Sequence, residues 1–234
     1  MWHLTPRCQD RRCHDSRWSK NHKGFTCSSR CPSNARKAHQ RAGDHRQRAS
    51  HRRLKHARPF ASRCGVSAQT VRLMGFDVDG VFTDGTLFYG PEGDQFKAFN
   101  ILDGLGLKLL QKAGIRTAII TGRASPMVSH RFEELGVDFI LQGREDKGQA
   151  LSELAETLDY QRLELGYMGD DYPDLTTLSH AAFFASVPNA PIVVQDQAHF
   201  VSIHRGGEGA VREVCEHILH AQNIDPWALY EGRS

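Results

Sequence analysis

Short runs of apolar residues recur along residues 66–234, and most of them end at a turn that contains glycine or a polar side chain. Runs of this length predict buried strands. They fall at residues 73–76, 115–120, 138–141, 165–168, 182–185 and 200–203. Between them, apolar residues repeat every three or four positions, which predicts amphipathic helices. The alternation of strands and helices predicts an α/β fold, a Rossmann-like parallel sheet with helices on both faces.

Residues typical of helix ends set the predicted bounds of each helix. The first predicted helix spans residues 103–113, with Asp103 as its N-cap and Gly114 as its stop. Further helices are predicted over residues 125–135, 146–158, 173–180 and 209–222. Two β-prone runs, 86–89 and 95–99, flank a turn rich in Gly, Pro and Asp, which predicts a β-hairpin.

Charge divides the chain near Val66. Residues 1–65 contain 17 Lys and Arg against 3 Asp and Glu, a net charge of +14, whereas residues 66–234 contain 13 against 24, a net charge of −11. Five of the six cysteines and seven of the thirteen histidines also precede Val66. The second segment is long enough for one hydrophobic core, so residues 66–234 are predicted to form the folded domain.

The segment 1–65 shows no helical or strand periodicity, and its high charge predicts that it lacks a packed core. It has no apolar run long enough for a signal sequence or a membrane span. A nucleic-acid-binding arm, an organelle transit peptide and a zinc site are competing interpretations. The zinc site would use four cysteines whose spacing fits no common zinc finger: Cys8, Cys13, Cys27 and Cys31. We favour a fourth interpretation, in which the segment is a non-native upstream extension and the true start lies near Val66 or Met74.

Polar residues cluster at the predicted strand ends, where open α/β sheets bind ligands. A carboxylate there can attack phosphorus while a second transfers the proton. A Thr hydroxyl, with backbone N–H groups beside a glycine, can hold a phosphoryl oxygen. Three carboxylates within five residues repel one another unless a cation such as Mg²⁺ is bound. In chain order the candidate residues are Asp77, Asp79, Thr121, Gly122, Arg123, Lys147, Asp170, Asp171 and Asp174.

Each candidate also has a simpler interpretation. The acids could belong to a solvated loop or to a helix N-terminus, where carboxylates are favourable anyway. A Thr-Gly turn is common, and a single lysine is often a surface residue. Lys147, however, begins a predicted helix, where the helix dipole disfavours a cation. That cost is explained if its ammonium reaches Asp77 and an anionic phosphate.

Together and in this order, the candidate motifs resemble the four motifs of the haloacid dehalogenase (HAD) superfamily of phosphotransferases. The longest match is residues 77–85, Asp-Val-Asp-Gly-Val-Phe-Thr-Asp-Gly. The resemblance implies that Asp77 is the nucleophile of an aspartyl-phosphate mechanism and that Asp79 is its acid and base. It implies that Thr121, with Gly122 and Arg123, binds phosphate, and that Lys147 offsets negative charge.

The same resemblance implies a Mg²⁺ cofactor. Its ligands would be the carboxylate of Asp77, the backbone carbonyl of Asp79 and the carboxylate of Asp170. Asp171 and Asp174 would support the site without binding the metal.

Within the superfamily, about residues 70–223 resemble a capless branch that hydrolyses 3-deoxy-D-manno-octulosonate 8-phosphate (KDO 8-phosphate). The most branch-specific stretch is residues 206–213, and Gly206, Gly207 and Arg212 are implied to contact the substrate. The motif spacing leaves room for a hairpin flap but for no cap domain. The resemblance further implies a role in lipopolysaccharide biosynthesis and a homotetramer in which a neighbouring chain covers the site.

Two positions depart from the branch pattern, in which arginine is frequent: Leu102 and Glu208. The loss of both cations leaves a sialic-type sugar acid 9-phosphate as an alternative substrate. A receiver-like signalling module that accepts phosphate on Asp is a less favoured alternative, because its acidic pair and phosphoacceptor come in a different order. Cys215 is the one cysteine after residue 65, which fits a reducing cytoplasm. Membrane and nucleic-acid partners are not expected.

Overall fold

The computed structural model describes residues 20–21, 24–25, 68–91 and 93–233. The chain divides into two compact units, Met1–Arg58 and Pro59–Ser234. In the first unit, β1 (Lys20–Asn21) pairs antiparallel with β2 (Gly24–Phe25). The sequence predicts no strand there, because two-residue strands are too short to produce a periodic pattern. The other predictions for residues 1–65 lie outside the described residues.

The second unit is built on a parallel β-sheet. Its strands are β3 (Leu73–Phe76), β4 (Phe88–Gly90), β5 (Gly93–Phe96), β6 (Arg116–Thr121), β7 (Phe139–Gln142), β8 (Leu165–Met168), β9 (Phe183–Ser186) and β10 (Phe200–Val201). Six of them form one sheet in the order β10–β9–β8–β3–β6–β7, and every neighbouring pair is parallel. The fully buried strand β3 lies at the centre, between β8 and β6. The predicted Rossmann-like α/β fold is confirmed.

Helices cover both faces of this sheet. They are α1 (Ile101–Lys112), α2 (Pro126–Glu134), α3 (Lys147–Leu158), α4 (Ile192–Gln197), α5 (Ala210–Ala221) and α6 (Pro226–Glu231). Helices α1, α5 and α6 pack together, and α3 packs against a 3₁₀ helix, Tyr172–Ser179. The largest fully buried side chains of the core are Tyr167, Phe76, Phe132, Phe183 and Phe184. Within the described ranges, each helix is too short or too polar to cross a bilayer.

The start of α1 differs from the prediction. Asn100, and not Asp103, is the N-cap, because its side-chain oxygen accepts a hydrogen bond from the N–H of Leu102 at 2.9 Å. Asp103 is fully buried, and its Oδ1 accepts the N–H of Arg212 at 2.9 Å. Asp103 therefore caps the first turn of α5, a helix far along the chain.

The predicted hairpin is confirmed. Strands β4 and β5 pair antiparallel, and the rings of Phe88 and Phe96 stack across them with centroids 4.5 Å apart. Both rings are exposed, as is Tyr89 beside them. The Tyr89 hydroxyl accepts a hydrogen bond from Arg123 Nη2 at 3.1 Å, so the hairpin reaches the residues that follow β6.

Candidate active site

A cavity of about 570 Å³ lies at the carboxyl ends of β3, β6 and β8. This is the edge at which parallel sheets bind their ligands. The described residues that line it are Asp77, Asp79, Thr121, Gly122, Arg123, Glu145, Lys147, Asp170, Asp171 and Pro173. Four separate parts of the chain thus bring their predicted site residues together here.

Lys147 connects two of the acids. It lies in the first turn of α3 with its side chain 6% exposed, and its Nζ is 2.9 Å from Asp77 Oδ2 and 2.7 Å from Asp174 Oδ1. Burial lowers the pKa of Lys147, but Asp174 and Asp77 more than offset this effect, so that its pKa is raised. The ammonium is therefore charged, and it meets the nucleophile predicted from the sequence.

Asp174 is completely buried, and its carboxylate is fully engaged. Its Oδ1 accepts the Lys147 ammonium and, at 3.1 Å, the hydroxyl of Tyr167. Its Oδ2 accepts the backbone N–H groups of Asp170 and Asp171, both at 3.0 Å. Asp174 thereby fixes the loop that carries Asp170 and Asp171, and its support of a bound metal stays a prediction.

Three carboxylates form a cluster that could hold a metal ion. Oxygens of Asp77, Asp170 and Asp174 all lie within 4.8 Å of one another. Asp170 can approach because Gly80, at φ 91°, has no side chain: a Cβ there would lie 2.1 Å from Asp170 Oδ2. Of these three acids, Asp77 and Asp170 line the cavity, whereas the carboxylate of Asp174 is engaged by four donors.

The electrostatics of these two carboxylates fit a bound cation. Burial, and then repulsion by Asp174, raises the pKa of Asp77 to about 6 in spite of Lys147. Burial, with Asp174 and Asp77, raises the pKa of Asp170 to about 7. Carboxylates that destabilise one another in this way are stabilised by a hard divalent ion such as Mg²⁺, which prefers oxygen ligands.

Asp79 is held by two cations. Its Oδ1 is 2.5 Å from Lys97 Nζ, and its Oδ2 is 3.6 Å from Arg123 Nε. Arg123 is the same residue that donates to Tyr89 on the hairpin. The predicted acid and base is therefore linked to the hairpin through both of its oxygens.

Thr121 ends β6, is buried, and lines the cavity together with Gly122 and Arg123. Asp171 also lines the cavity, and its side chain caps the 3₁₀ helix by accepting the N–H of Tyr172 at 2.8 Å. These positions are compatible with the predicted roles, phosphate binding and support of the site.

Gly206, Gly207 and Arg212 are not brought into this cavity. A Cβ on Gly206 would lie 1.8 Å from the carbonyl oxygen of Gly80, and the N–H of Gly207 donates to Val81 O at 3.0 Å. This loop thus packs on the backbone that follows Asp79. Arg212 pairs with Glu216 and lines a second cavity, between α1, α5 and α6. Substrate contact by these three residues stays a prediction.

Among the described residues of the site that sequence reasoning missed are Lys97, Glu145 and Tyr167. Tyr167 had a usable signal, because a hydroxyl in an otherwise apolar strand directly before an acidic loop needs a polar partner. Lys97 had no such signal, because its ion-pair partner Asp79 is distant in sequence. Glu145 lines the cavity beside Gly122 but lies in a charged stretch in which no position stands out.

Comparisons with known proteins find similar chains among curated proteins and among solved structures. No family model matches the chain. It is 40% identical over 165 residues to the 3-deoxy-D-manno-octulosonate 8-phosphate phosphatase of Yersinia pestis, covering 70% of this chain and 88% of that protein. The chain is also similar to the crystal structure of 3-deoxy-D-manno-octulosonate 8-phosphate phosphatase from Moraxella catarrhalis, which was solved in complex with magnesium ion, phosphate ion and KDO. The two sequences are 43% identical, the TM-score is 0.68, and the match covers 72% of this chain and 96% of the Moraxella chain. A Legionella pneumophila structure assigned to HAD subfamily III A is 38% identical with a TM-score of 0.70, covering 74% and 94%.

Proposed function

The chain belongs to the family of 3-deoxy-D-manno-octulosonate 8-phosphate phosphatases, and from this premise we propose how its own residues carry out the reaction. It is a Mg²⁺-dependent phosphoric monoester hydrolase that converts KDO 8-phosphate to KDO and inorganic phosphate. We also propose that this reaction serves lipopolysaccharide biosynthesis, a role that the sugar in the relatives' name supports.

One observation carries the mechanism: Lys147 joins Asp77 to Asp174 at the end of the central strand, within reach of Asp170. A carboxylate is a poor nucleophile toward a phosphate dianion because both are negative. A buried ammonium and a metal-binding cluster reduce that repulsion, and the burial of Lys147 and Asp77 limits the screening of their interaction by water.

The residues present fit Mg²⁺. The carboxylates of Asp77 and Asp170 would hold it together with the backbone carbonyl of Asp79, and Asp174 would support them from behind. When bound, the ion supplies positive charge that offsets the charge of the nucleophile and of the phosphate.

In the first step, a carboxylate oxygen of Asp77 attacks phosphorus and the bond from phosphorus to the sugar oxygen breaks. Asp79 donates a proton to that leaving oxygen, and Asp77 becomes an aspartyl-phosphate. In the second step, Asp79 takes a proton from a water molecule as the water attacks the same phosphorus. The bond to Asp77 breaks, and inorganic phosphate leaves. Thr121 and the N–H groups near Gly122 hold the phosphoryl oxygens throughout.

The sugar itself is assigned through the relatives, which favour KDO 8-phosphate over a sialic-type 9-phosphate. Leu102 and Glu208, the two departures from the branch pattern, are both exposed and line neither cavity. At these positions they are available to a neighbouring chain or to the far end of a long substrate, rather than to the phosphate.

We also propose a homotetramer in which a neighbouring chain covers the cavity. The exposed apolar side chains of the hairpin support this assembly, since a capless site open to water gains from being covered. Residues 66–234 are proposed to be sufficient for activity, and the cytoplasm is the proposed compartment.

The test is phosphate release by the full chain and by residues 66–234, on KDO 8-phosphate and on a sialic-type 9-phosphate. We expect strong preference for KDO 8-phosphate, equal activity of the two chains, loss of activity with a chelator and recovery on adding Mg²⁺. Asp77→Asn keeps the shape of the side chain but removes the nucleophile, so its rate should fall at least about a thousandfold.

The outcomes separate the parts of the proposal. Release from the 9-phosphate alone would contradict the substrate but keep the chemistry. Turnover by Asp77→Asn at the wild-type rate would contradict the nucleophile. Loss of activity in residues 66–234 would show that the basic segment is needed.

A further inference from the structure

A lysine outside the predicted set lies directly behind the acid and base of the reaction. Lys97 follows β5, at the point where the hairpin returns to the domain. Its side chain is only 2% exposed, and its Nζ is 2.5 Å from Asp79 Oδ1. A buried ammonium is costly unless it is paired with an anion, so this contact is a strong constraint on both side chains.

Lys97 lies outside the lining of the cavity. The described residues that line the cavity include Asp79 and Arg123 but not Lys97. The two oxygens of Asp79 are therefore not equivalent: Lys97 binds Oδ1 from the protein side, whereas Oδ2 lies toward Arg123, which lines the cavity.

We propose that Lys97 is a positioning residue, which holds the Asp79 carboxylate so that Oδ2 faces the leaving sugar oxygen. A free Asp side chain would rotate about two bonds, and most of its orientations would turn the oxygen away from the proton it must transfer. Efficient proton transfer requires heavy atoms within hydrogen-bond reach, so a fixed orientation raises the rate.

The position of Lys97 also links this orientation to the hairpin. Lys97 directly follows β5, while Tyr89 on β4 accepts a hydrogen bond from Arg123. Both cations beside Asp79 thus connect to the hairpin, one through the chain and one through a hydrogen bond. A displacement of the hairpin would disturb Asp79 even though the hairpin contributes no catalytic group.

The test compares two substrates that differ in their need for an acid. The sugar alkoxide of KDO 8-phosphate is a poor leaving group and must be protonated as it leaves. The p-nitrophenolate ion is a good leaving group and needs no proton. We expect Lys97→Met to lower kcat/KM at least about tenfold on KDO 8-phosphate but less than about threefold on p-nitrophenyl phosphate. The difference is expected because general acid catalysis accelerates a reaction roughly 10²–10⁴-fold. Lys97→Arg, which keeps a cation, should recover much of the loss.

Two further variants control the result. Lys108→Met removes an exposed lysine from α1 and should leave kcat/KM unchanged on both substrates. Lys97→Gln keeps a hydrogen-bond donor of similar length, and it carries the same comparison if Lys97→Met does not fold. Thermal unfolding of each variant identifies a general loss of structure.

This inference rests on the proposed function, and the outcomes distinguish the two. Equal losses on both substrates, or no loss on either, would overturn the role of Lys97 while the wild type still turns over KDO 8-phosphate. A wild-type protein inactive on KDO 8-phosphate would overturn the proposed function, and the inference with it.

Discussion

Among single residues, Asp174 connects the largest part of the site. It accepts hydrogen bonds from the side chains of Lys147 and Tyr167 and from two backbone N–H groups of the acidic loop. A Cβ on Gly169 would lie 2.2 Å from Asp174 Cγ, so a glycine at the end of β8 is what lets the carboxylate sit there. The residues proposed to bind the metal thus depend on an acid that is not proposed as a ligand.

Tyr167→Phe tests this arrangement. The Tyr167 hydroxyl is buried and donates toward both Asp174 Oδ1 and Ile120 O at 3.1 Å, whereas a Phe ring would fill the same space without a donor. We expect a loss of about 1–2 kcal/mol in the free energy of unfolding, measured in urea. Activity should fall only modestly, because Asp174 keeps its three other donors.

The matched control is Tyr172→Phe, at an exposed position of the 3₁₀ helix in the same acidic loop. Its unfolding curve should superimpose on that of the wild type. A Tyr167→Phe protein as stable as Tyr172→Phe would show that the hydroxyl contributes nothing to the network.

At this scale the sequence predicts most of the site. Asp77, Asp79, Lys147 and Asp170 stand in motifs whose order is informative in itself, and the structure brings them around one cavity. Lys97 could not be predicted, because its meaning depends on the hairpin folding back to Asp79. A long-range ion pair leaves no local pattern in a sequence.

At the scale of elements, the interaction between α1 and α5 differs most from expectation. Asn100 caps α1 and also donates from Nδ2 to Gly207 O at 3.2 Å, while Asp103 caps α5. Two polar residues at the start of one helix thus fix the loop and the first turn of another. Cap residues look alike in sequence whichever helix they cap, which is why the sequence pattern assigns Asp103 to its own helix.

Asp103→Asn tests the cap through its dependence on pH. Burial raises the pKa of Asp103 above its ordinary value, and the backbone N–H of Arg212 only partly opposes this. Folding therefore favours the protonated carboxyl, whose contribution to stability is present below the unfolded-state pKa and lost as pH rises through the folded-state pKa. Relative to Asp103→Asn, the wild type should gain free energy of unfolding as the pH falls from 7 toward 4.

Asp225→Asn is the control for that experiment. Asp225 is an exposed N-cap that accepts the N–H of Trp227 at 2.9 Å in α6. A wild-type advantage over Asp103→Asn that grows with rising pH would contradict the expected sign.

The elements themselves could largely be predicted. The central strands were placed within one or two residues, since buried parallel strands appear as continuous apolar runs bounded by turns. In the described part of the chain, the sequence pattern misses the helices Ile192–Gln197 and Pro226–Glu231, because six residues are too few for a helical period to be recognised. The predicted helix over 173–180 is a 3₁₀ helix, whose start at Tyr172 is set by the side chain of Asp171.

For the whole molecule, the exposed hairpin predicts assembly. Phe88 and Phe96 are 41% and 58% exposed although they stack on one another, and an apolar surface of this kind favours a second copy of the chain. In a tetramer, the double variant Phe88→Ser with Phe96→Ser should shift the mass measured by light scattering to smaller species. Leu163→Ser, at another exposed apolar residue, should leave the mass unchanged. An unaltered tetramer in the double variant would place the interface elsewhere.

The contact of Gly206 with Gly80 has a consequence for how the enzyme is made. During translation, Asp77 and Asp79 are synthesised well before the loop that contains Gly206 and packs on Gly80. The loop after Asp79 gains its last contact only when residue 206 has been synthesised, because β8 pairs with β3 and Gly206 packs on Gly80. A chain truncated before Gly206 would therefore contain Asp77, Asp79, Lys147 and Asp170 but lack the residue that packs against the loop after Asp79.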